Sequence, residues 1–192
     1  MPQKSSENFF TELFKFILIA AAIVFPIRLF VAQPFIVSGA SMDPTFSNGQ
    51  YLIVDELSYR LQDPARGDVI IFRYPKNPKE FFIKRIIGLP TETVSINGNA
   101  ITISKADGST VSLSEPYVIN HGNGSANSYQ LKADEYFVMG DNRPESSDSR
   151  VWGMLPRNNI VGRAFMRLLP LNSINIFPGS LPTGQAGTPG QN

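Results

Sequence analysis

The sequence predicts a mostly β protein preceded by one N-terminal transmembrane helix, and three observations carry that expectation. The run FILIAAAIVFPIRLFVA occupies Phe16 to Ala32 with Arg28 as its one charge, close to the roughly 20 apolar residues that span a bilayer. Beyond Pro34 the chain breaks into short β-branched runs divided by turn residues, which is how strands read. A length of 192 residues leaves room for one catalytic-sized domain and a small appendage.

In chain order, residues 1–8 are a short polar leader and 9–32 the membrane anchor. A cleaved secretory signal and a buried core helix are the alternatives for that run. A signal peptide requires small residues at its cleavage site, whereas Phe30-Val31-Ala32 is bulky there. Arg28 near the far end can snorkel to the interface, and Pro26 is tolerated where neighbours satisfy the freed carbonyl. Lys4 and Lys15 before the apolar core and Arg28 after it leave the orientation undecided by flanking charge.

The domain proper covers 33–170. Its strand candidates are QYLIVDEL, GDVIIFRYP, FFIKRIIGLP, ETVSINGNAITI, STVSL, EYFVMGD and GRAFMRLL, with Asn97-Gly98 a hairpin signal. Tyr74 to Pro78 and His121 to Ala126 read as exposed loops. The segment 91–132 is set apart as a small β cap lobe. Residues 171–192 are expected to form a flexible tail, because Pro178 to Asn192 carries no charge and seven of its fifteen residues are Pro or Gly, a composition that builds no core.

Composition narrows the chemistry. The 17 Lys and Arg against 16 Asp and Glu give a net charge of +1, so no chain-wide field attracts nucleic acid. With no cysteine and a single histidine, His121, thiol chemistry, disulfides, iron–sulfur clusters and Cys/His zinc sites are excluded. A Ser-His-Asp triad would have to run through His121; any other serine nucleophile needs a different base.

Three blocks place reactive groups where packing or plain turns would be expected. The first, Val37-Ser38-Gly39-Ala40-Ser41-Met42-Asp43-Pro44-Thr45, surrounds a serine with small residues that admit a close backbone approach, although Asp43-Pro44 is also an ordinary turn opener. The second, Phe81 to Gly88, read as a strand, places Phe82, Lys84 and Ile86 on one face and Phe81, Ile83 and Arg85 on the other. Lys84 among apolar neighbours would lose its proton easily and serve as a base; equally, Lys84 and Arg85 would keep an edge strand soluble. The third, Met139 to Gly153, is dense in hydrogen-bonding groups directly after the apolar strand Tyr136-Phe137-Val138-Met139. Asp148 and Arg150 can pair across a turn, and Asp141 can reach a distant cation such as Arg85; a solvated loop is the plainer reading.

Taken together, the anchor followed by SGASMDPT, RGDVIIF, FIKRIIGLP, GDNRPESSDSRVWG and VGR in that order resembles the type I signal peptidase family, from the anchor to about Leu169. The resemblance implies an antiparallel β catalytic domain with a small β cap lobe, and a serine endopeptidase needing no cofactor and no metal. It matches Ser41 to the nucleophile and Lys84 to the general base, an arrangement that uses no histidine. Ser146 matches the serine that hydrogen-bonds and orients the lysine, while Asp148 with Arg150 and Asp141 with Arg85 match supporting ion pairs. Gly39 stands where some branches carry a serine that assists the oxyanion hole.

The resemblance further implies that the partners are exported preproteins, cut after small residues at positions −3 and −1, and the lipid bilayer. Shallow apolar pockets accepting alanine explain that preference; their walls would include Phe35, Val37, Met42, Phe82 and Ile83. Ser41 follows Ala32 by nine residues, a reach of at most about 30 Å, which keeps the nucleophile near the membrane. The implied topology is single-pass, with the N-terminus cytoplasmic and the catalytic domain extracytoplasmic, in the cell membrane or in the thylakoid membrane of a photosynthetic source. A Ser/Lys autoprotease of the repressor type is the nearest rival enzyme, and a catalytically inactive membrane-anchored β binding module the alternative of a different class.

Overall fold

A computed structural model describes residues 6–30, 32–122 and 125–181. The chain opens with a helix, α1 (Ser6–Phe30), and passes at once into β1 (Ala32–Ile36), β2 (Tyr51–Asp55) and a single helical turn, α2 (Ser58–Leu61). A hairpin of β3 (Val69–Tyr74) and β4 (Asn77–Gly88) follows, then β5 (Thr93–Asn97), β6 (Ala100–Ser104), β7 (Thr110–Ser112) and β8 (Asn127–Gln130). The last part comprises β9 (Glu135–Met139), the short helix α3 (Ser149–Trp152), β10 (Leu155–Pro156), β11 (Ile160–Leu169) and β12 (Asn175–Ile176).

The strands divide into two antiparallel sheets. The larger runs in the order β1-β2-β11-β3-β4-β9-β10, with β12 added against β11. The smaller, β7-β6-β5-β8, lies within 93–130, inside the segment set apart as a cap lobe. Its central hairpin closes through Gly98-Asn99, where Asn97 pairs with Ala100 and Gly98 takes a φ of +60°, the backbone that a two-residue hairpin turn demands and a side chain resists.

Both faces of the larger sheet are covered, which is why its strands read as continuous apolar runs rather than alternating ones. Along β3, Ile70 and Phe72 enter a core with Ile86, Val138, Trp152 and Leu155. Val69 and Ile71 enter a second core with Val37, Met42, Phe46, Leu52 and Val54. The small sheet is not independent: Val94, Ile96, Ile101 and Ile103 share their core with Ile87, Phe137 and Met139 of the large sheet. Gly88 marks the crossover; a Cβ there would stand 2.4 Å from the Val94 side chain and 2.8 Å from that of Leu131. A buried ion pair, Arg66 to Glu92 at 2.5 Å, closes the same junction.

Several expectations need correction. Ala32, counted in the anchor, is the first residue of β1 and pairs with Asp55. Among the described residues no helix is long and apolar enough to cross a membrane, so the span over 9–32 is not shown. Tyr74 to Pro78 is no open loop: Tyr74 pairs with Asn77 across a two-residue turn, and Pro78 lies within β4. Finally, 171–181 is not loose. β12 pairs with Met166 and Arg167, Pro178 is buried and the Gly179 carbonyl accepts from Arg85 Nη1 at 2.6 Å. Backbone pairing and a buried donor hold this stretch, and neither registers in composition; 182–192 lies outside the described residues.

Candidate active site

Ser41 sits in the loop that leaves β1 and returns as β2. The loop is closed by Val37 N–H donating to the Gln50 carbonyl and Gly49 N–H to the Val37 carbonyl, each at 2.9 Å. Gly39 has a φ of +89° and its amide donates to Asn48 Oδ1 at 3.0 Å, a turn that glycine enters at no steric cost. Met42 and Phe46, 1% and 0% exposed, root the loop in the second core. Asn142 grips its other side: its backbone N–H donates to the Ser41 carbonyl and its Nδ2 to the Ala40 carbonyl, both at 3.1 Å.

Lys84 arrives from β4, where the alternation of a strand puts it with Phe82 and Ile86 on one face. Its Nζ lies 2.6 Å from Ser41 Oγ and 2.9 Å from the Ile83 carbonyl. The side chain is buried, with its amine 5.5 Å from the centre of the Phe82 ring. Burial pushes the ammonium down from its ordinary 10.5 to about 8, against the opposing pull of the Asp148 and Asp141 carboxylates, because a charge removed from water loses its hydration.

Ser146 is buried beside this pair, yet Ser41 Oγ and the Ile83 carbonyl, not Ser146, are the lysine's hydrogen-bond partners. The Ser146 hydroxyl donates instead to Asp148 Oδ2 at 2.7 Å. Asp148 also accepts the Gly140 amide at 3.0 Å and both arms of Arg150 at 2.8 Å. The Arg150 backbone N–H donates to Asp148 Oδ1 as well, at 3.2 Å. An ionised carboxylate is the stronger acceptor by virtue of its charge, and it takes the only hydroxyl proton Ser146 has. Gly140 is where these parts meet: a Cβ there would lie 2.3 Å from Ser146 Oγ and 2.4 Å from the Ser41 carbonyl oxygen.

Arg85, next to Lys84 but on the opposite face of β4, pairs with Asp141 through Nε at 2.9 Å and Nη2 at 2.6 Å. Asp141 accepts Thr45 Oγ1 as well, at 2.6 Å, so it ties the β4 strand to the loop of Ser41.

A cleft of about 440 Å³ opens in front of Ser41 and Lys84. Phe35, Val37, Phe82 and Ile83 line it, together with Ile36, Leu52, Ile71 and Phe81. Met42 is not among its walls; it points into the second core, where its loop needs an apolar anchor. Glu80 and Glu145 stand on the cleft's lining, and Glu115 and Tyr117 lie behind the Gly140–Asn142 segment; none of the four was singled out from the sequence, and only the surrounding motif around Glu145 offered a signal.

Residues 10–169 match the family model described as signal peptidase, peptidase S26. The chain is 36% identical over 177 residues to a probable signal peptidase I-2 of Synechocystis, covering 89% of this chain and 78% of that protein. It is 36% identical over 179 residues to a signal peptidase I of Leptolyngbya laminosa, covering 90% and 86%. Against signal peptidase I P of Bacillus subtilis subsp. natto, identity is 32% over 178 residues, covering 90% and 96%. With the family model spanning the helix, both blocks that meet at Ser41 and Lys84, and all of the large sheet as far as β11, the chain belongs to the signal peptidase family, peptidase S26.

Proposed function

We propose that this protein is a membrane-anchored signal peptidase I that removes N-terminal signal peptides from exported preproteins, with Ser41 as nucleophile and Lys84 as general base. The observation that carries this reading is the 2.6 Å contact between Lys84 Nζ and Ser41 Oγ in a buried setting that lowers the lysine to about 8. A neutral amine at that distance takes the Ser41 proton as Oγ attacks the scissile carbonyl. The resulting ammonium protonates the leaving amine, and the freed amine then activates the water that hydrolyses the ester on Ser41. The Ser41 backbone N–H is the expected oxyanion donor; Gly39 contributes no hydroxyl, and its amide is already engaged with Asn48.

Ser146 makes no hydrogen bond to Lys84 and acts through Asp148, to which its hydroxyl donates. Its remaining lone pairs can accept an N–H from an approaching lysine in either protonation state, since ammonium and free amine both carry N–H donors. Asp148 with Arg150, and Asp141 with Arg85, keep the surrounding loop and strand in place rather than exchanging protons with substrate.

The substrate lies extended along the cleft, its small side chains at −3 and −1 against Phe35, Val37, Phe82 and Ile83, with main-chain pairing supplying affinity. Anchoring is supported by α1, whose side chains at Phe9, Phe10, Leu13, Phe14, Phe16, Ile17, Leu18, Ile19 and Val24 are between 43% and 70% exposed, an apolar surface suited to contact with a membrane. The N-terminus is then cytoplasmic and the β domain extracytoplasmic, with Ser41 close to the membrane surface. The test is cleavage of a model preprotein by the detergent-solubilised protein beside Ser41→Ala and Lys84→Ala, the cut site being read by mass spectrometry. A cut after a small-x-small sequence, lost in both variants, is expected; no cleavage by folded wild-type protein would leave a binding module without catalysis.

A further inference from the structure

We infer that Glu115 and Tyr117 are positioning residues that clamp the Gly140–Asn142 segment and, through it, hold the Ser41 loop against Lys84; this rests on the signal peptidase reading above. Both residues belong to one β-turn in the connection between β7 and β8 of the cap lobe. Val118 N–H donates to the Glu115 carbonyl at 3.0 Å, and Pro116 occupies the second position of that turn, where its fixed φ is favoured.

From this turn two arms reach the segment, one at Gly140 and one at Asp141. The Glu115 carboxylate pairs with Arg143 Nη2 at 2.6 Å, with side chains 5% and 4% exposed, and Arg143 Nε donates to the Gly140 carbonyl at 3.1 Å. The Tyr117 ring lies 3.9 Å from the Arg85 guanidinium carbon, a stacked cation contact strengthened by exclusion of water, and Arg85 holds Asp141. The arms are joined, because the Tyr117 hydroxyl donates at 2.8 Å to the same Glu115 oxygen that Arg143 uses. Burial, reinforced by the Glu115 carboxylate, pushes the Tyr117 phenol up, so the hydroxyl stays a donor.

Gly140, Asp141 and Asn142 then deliver this constraint to the nucleophile. Gly140 packs against the Ser41 carbonyl, Asp141 accepts Thr45, and Asn142 binds the Ala40 and Ser41 carbonyls. Since Lys84 and Arg85 are adjacent on β4, a ring pressed on Arg85 and a carboxylate holding Arg143 set the Ser41 loop and the lysine strand in one frame. The cap lobe thereby acts on the reaction although it contributes no lining residue to the cleft of Ser41 and Lys84.

The experiment uses the full-length protein in detergent with Tyr117→Leu, Tyr117→Phe, Glu115→Gln and, as a control for general destabilisation, Val94→Ala in the lobe core. Two readouts are taken: kcat and KM separately on a model preprotein, and hydrogen exchange over residues 38–46 and 140–143. Tyr117→Leu should lower kcat about 10- to 100-fold, as small misplacements of reacting groups do, with KM within about twofold and faster exchange in both segments. Tyr117→Phe keeps the ring on Arg85 and should retain kcat within about threefold. Val94→Ala should lose stability without this pattern, and if Tyr117→Leu does not fold, Glu115→Gln must show the kcat loss and the faster exchange. Unchanged kcat and exchange in a folded Tyr117→Leu or Glu115→Gln protein, or the same kcat loss in Val94→Ala, would overturn the clamp. If the wild-type protein cleaves nothing, the peptidase reading fails and the exchange measurement alone decides whether the clamp exists.

Discussion

Arg85 and Asp141 meet fork to fork in the interior, Nε to Oδ1 at 2.9 Å and Nη2 to Oδ2 at 2.6 Å, with side chains 0% and 1% exposed. The remaining guanidinium nitrogen donates to the Gly67 and Gly179 carbonyls at 2.9 and 2.6 Å. One residue of β4 thus fastens the Ser41 loop, the turn before β3 and the stretch after β12. Asp141→Asn leaves that cation without its counter-charge and should cost about 3–5 kcal/mol of stability. Chemical denaturation measures it; a loss under about 1 kcal/mol would mean that the two carbonyls suffice to hold Arg85.

Activity should follow the titration of Lys84. The amine is the reactive form, so kcat/KM should rise with pH through about 8 and level off above it. A pH–rate profile on the wild-type protein checks this, and a rate flat from pH 6 to 10 would exclude the lysine as base.

The same depressed value has a consequence for stability. Unfolded, the lysine keeps its proton up to about 10.5; folded, it gives it up near 8. Between those values the unfolded chain binds more protons, so wild-type stability gains as pH rises and the buried ammonium penalty is fully present below about 8. Lys84→Met carries no such penalty. Its melting temperature relative to wild type should therefore be most favourable near pH 7 and should decline steadily between pH 8 and 10.5; a difference independent of pH would contradict the assignment.

Two glycines separate catalysis from folding. Gly140→Ala would push a methyl group to 2.4 Å from the Ser41 carbonyl oxygen, and backbone cannot step aside cheaply, so kcat/KM should fall by roughly 100-fold or more. Gly88→Ala meets the side chains of Val94, Leu131 and Phe137 instead; overpacking there should cost about 1–3 kcal/mol with far less effect on turnover. Parallel kinetics and melting curves distinguish the two, and equal kinetic effects would mean that the lobe junction and the site are one unit.

Much of the fold could be read from local pattern. The runs around Tyr51–Asp55, Val69–Tyr74, Thr93–Ser104, Glu135–Met139 and Ile160–Leu169 are strands, because apolar β-branched stretches bounded by turn residues have few other uses. β8 escaped notice: Asn127–Gln130 is polar and largely exposed, and what makes it a strand is backbone pairing with β5. β12 and the ordered stretch to 181 escaped for the same reason. The family resemblance put Met42 among the cleft walls, but its direction depends on which side of the loop faces the second core. Ser41 and Lys84 were legible as reactive types in unusual surroundings, and Ser146 as their neighbour in the family pattern; that its proton goes to Asp148 depends on where Gly140 and Arg150 bring their donors.

By itself, then, the sequence determined the β character of the domain, the absence of cysteine chemistry and the blocks that supply a serine and a lysine, since each depends on residues close together in the chain. Tertiary structure alone decided that Lys84 is buried enough to bring its ammonium down to about 8, and that Glu115 and Tyr117 stand behind the nucleophile. These are contacts between strands and loops distant in sequence. Burial, register and hydrogen-bond direction are properties of the assembled sheets, and no single segment carries them.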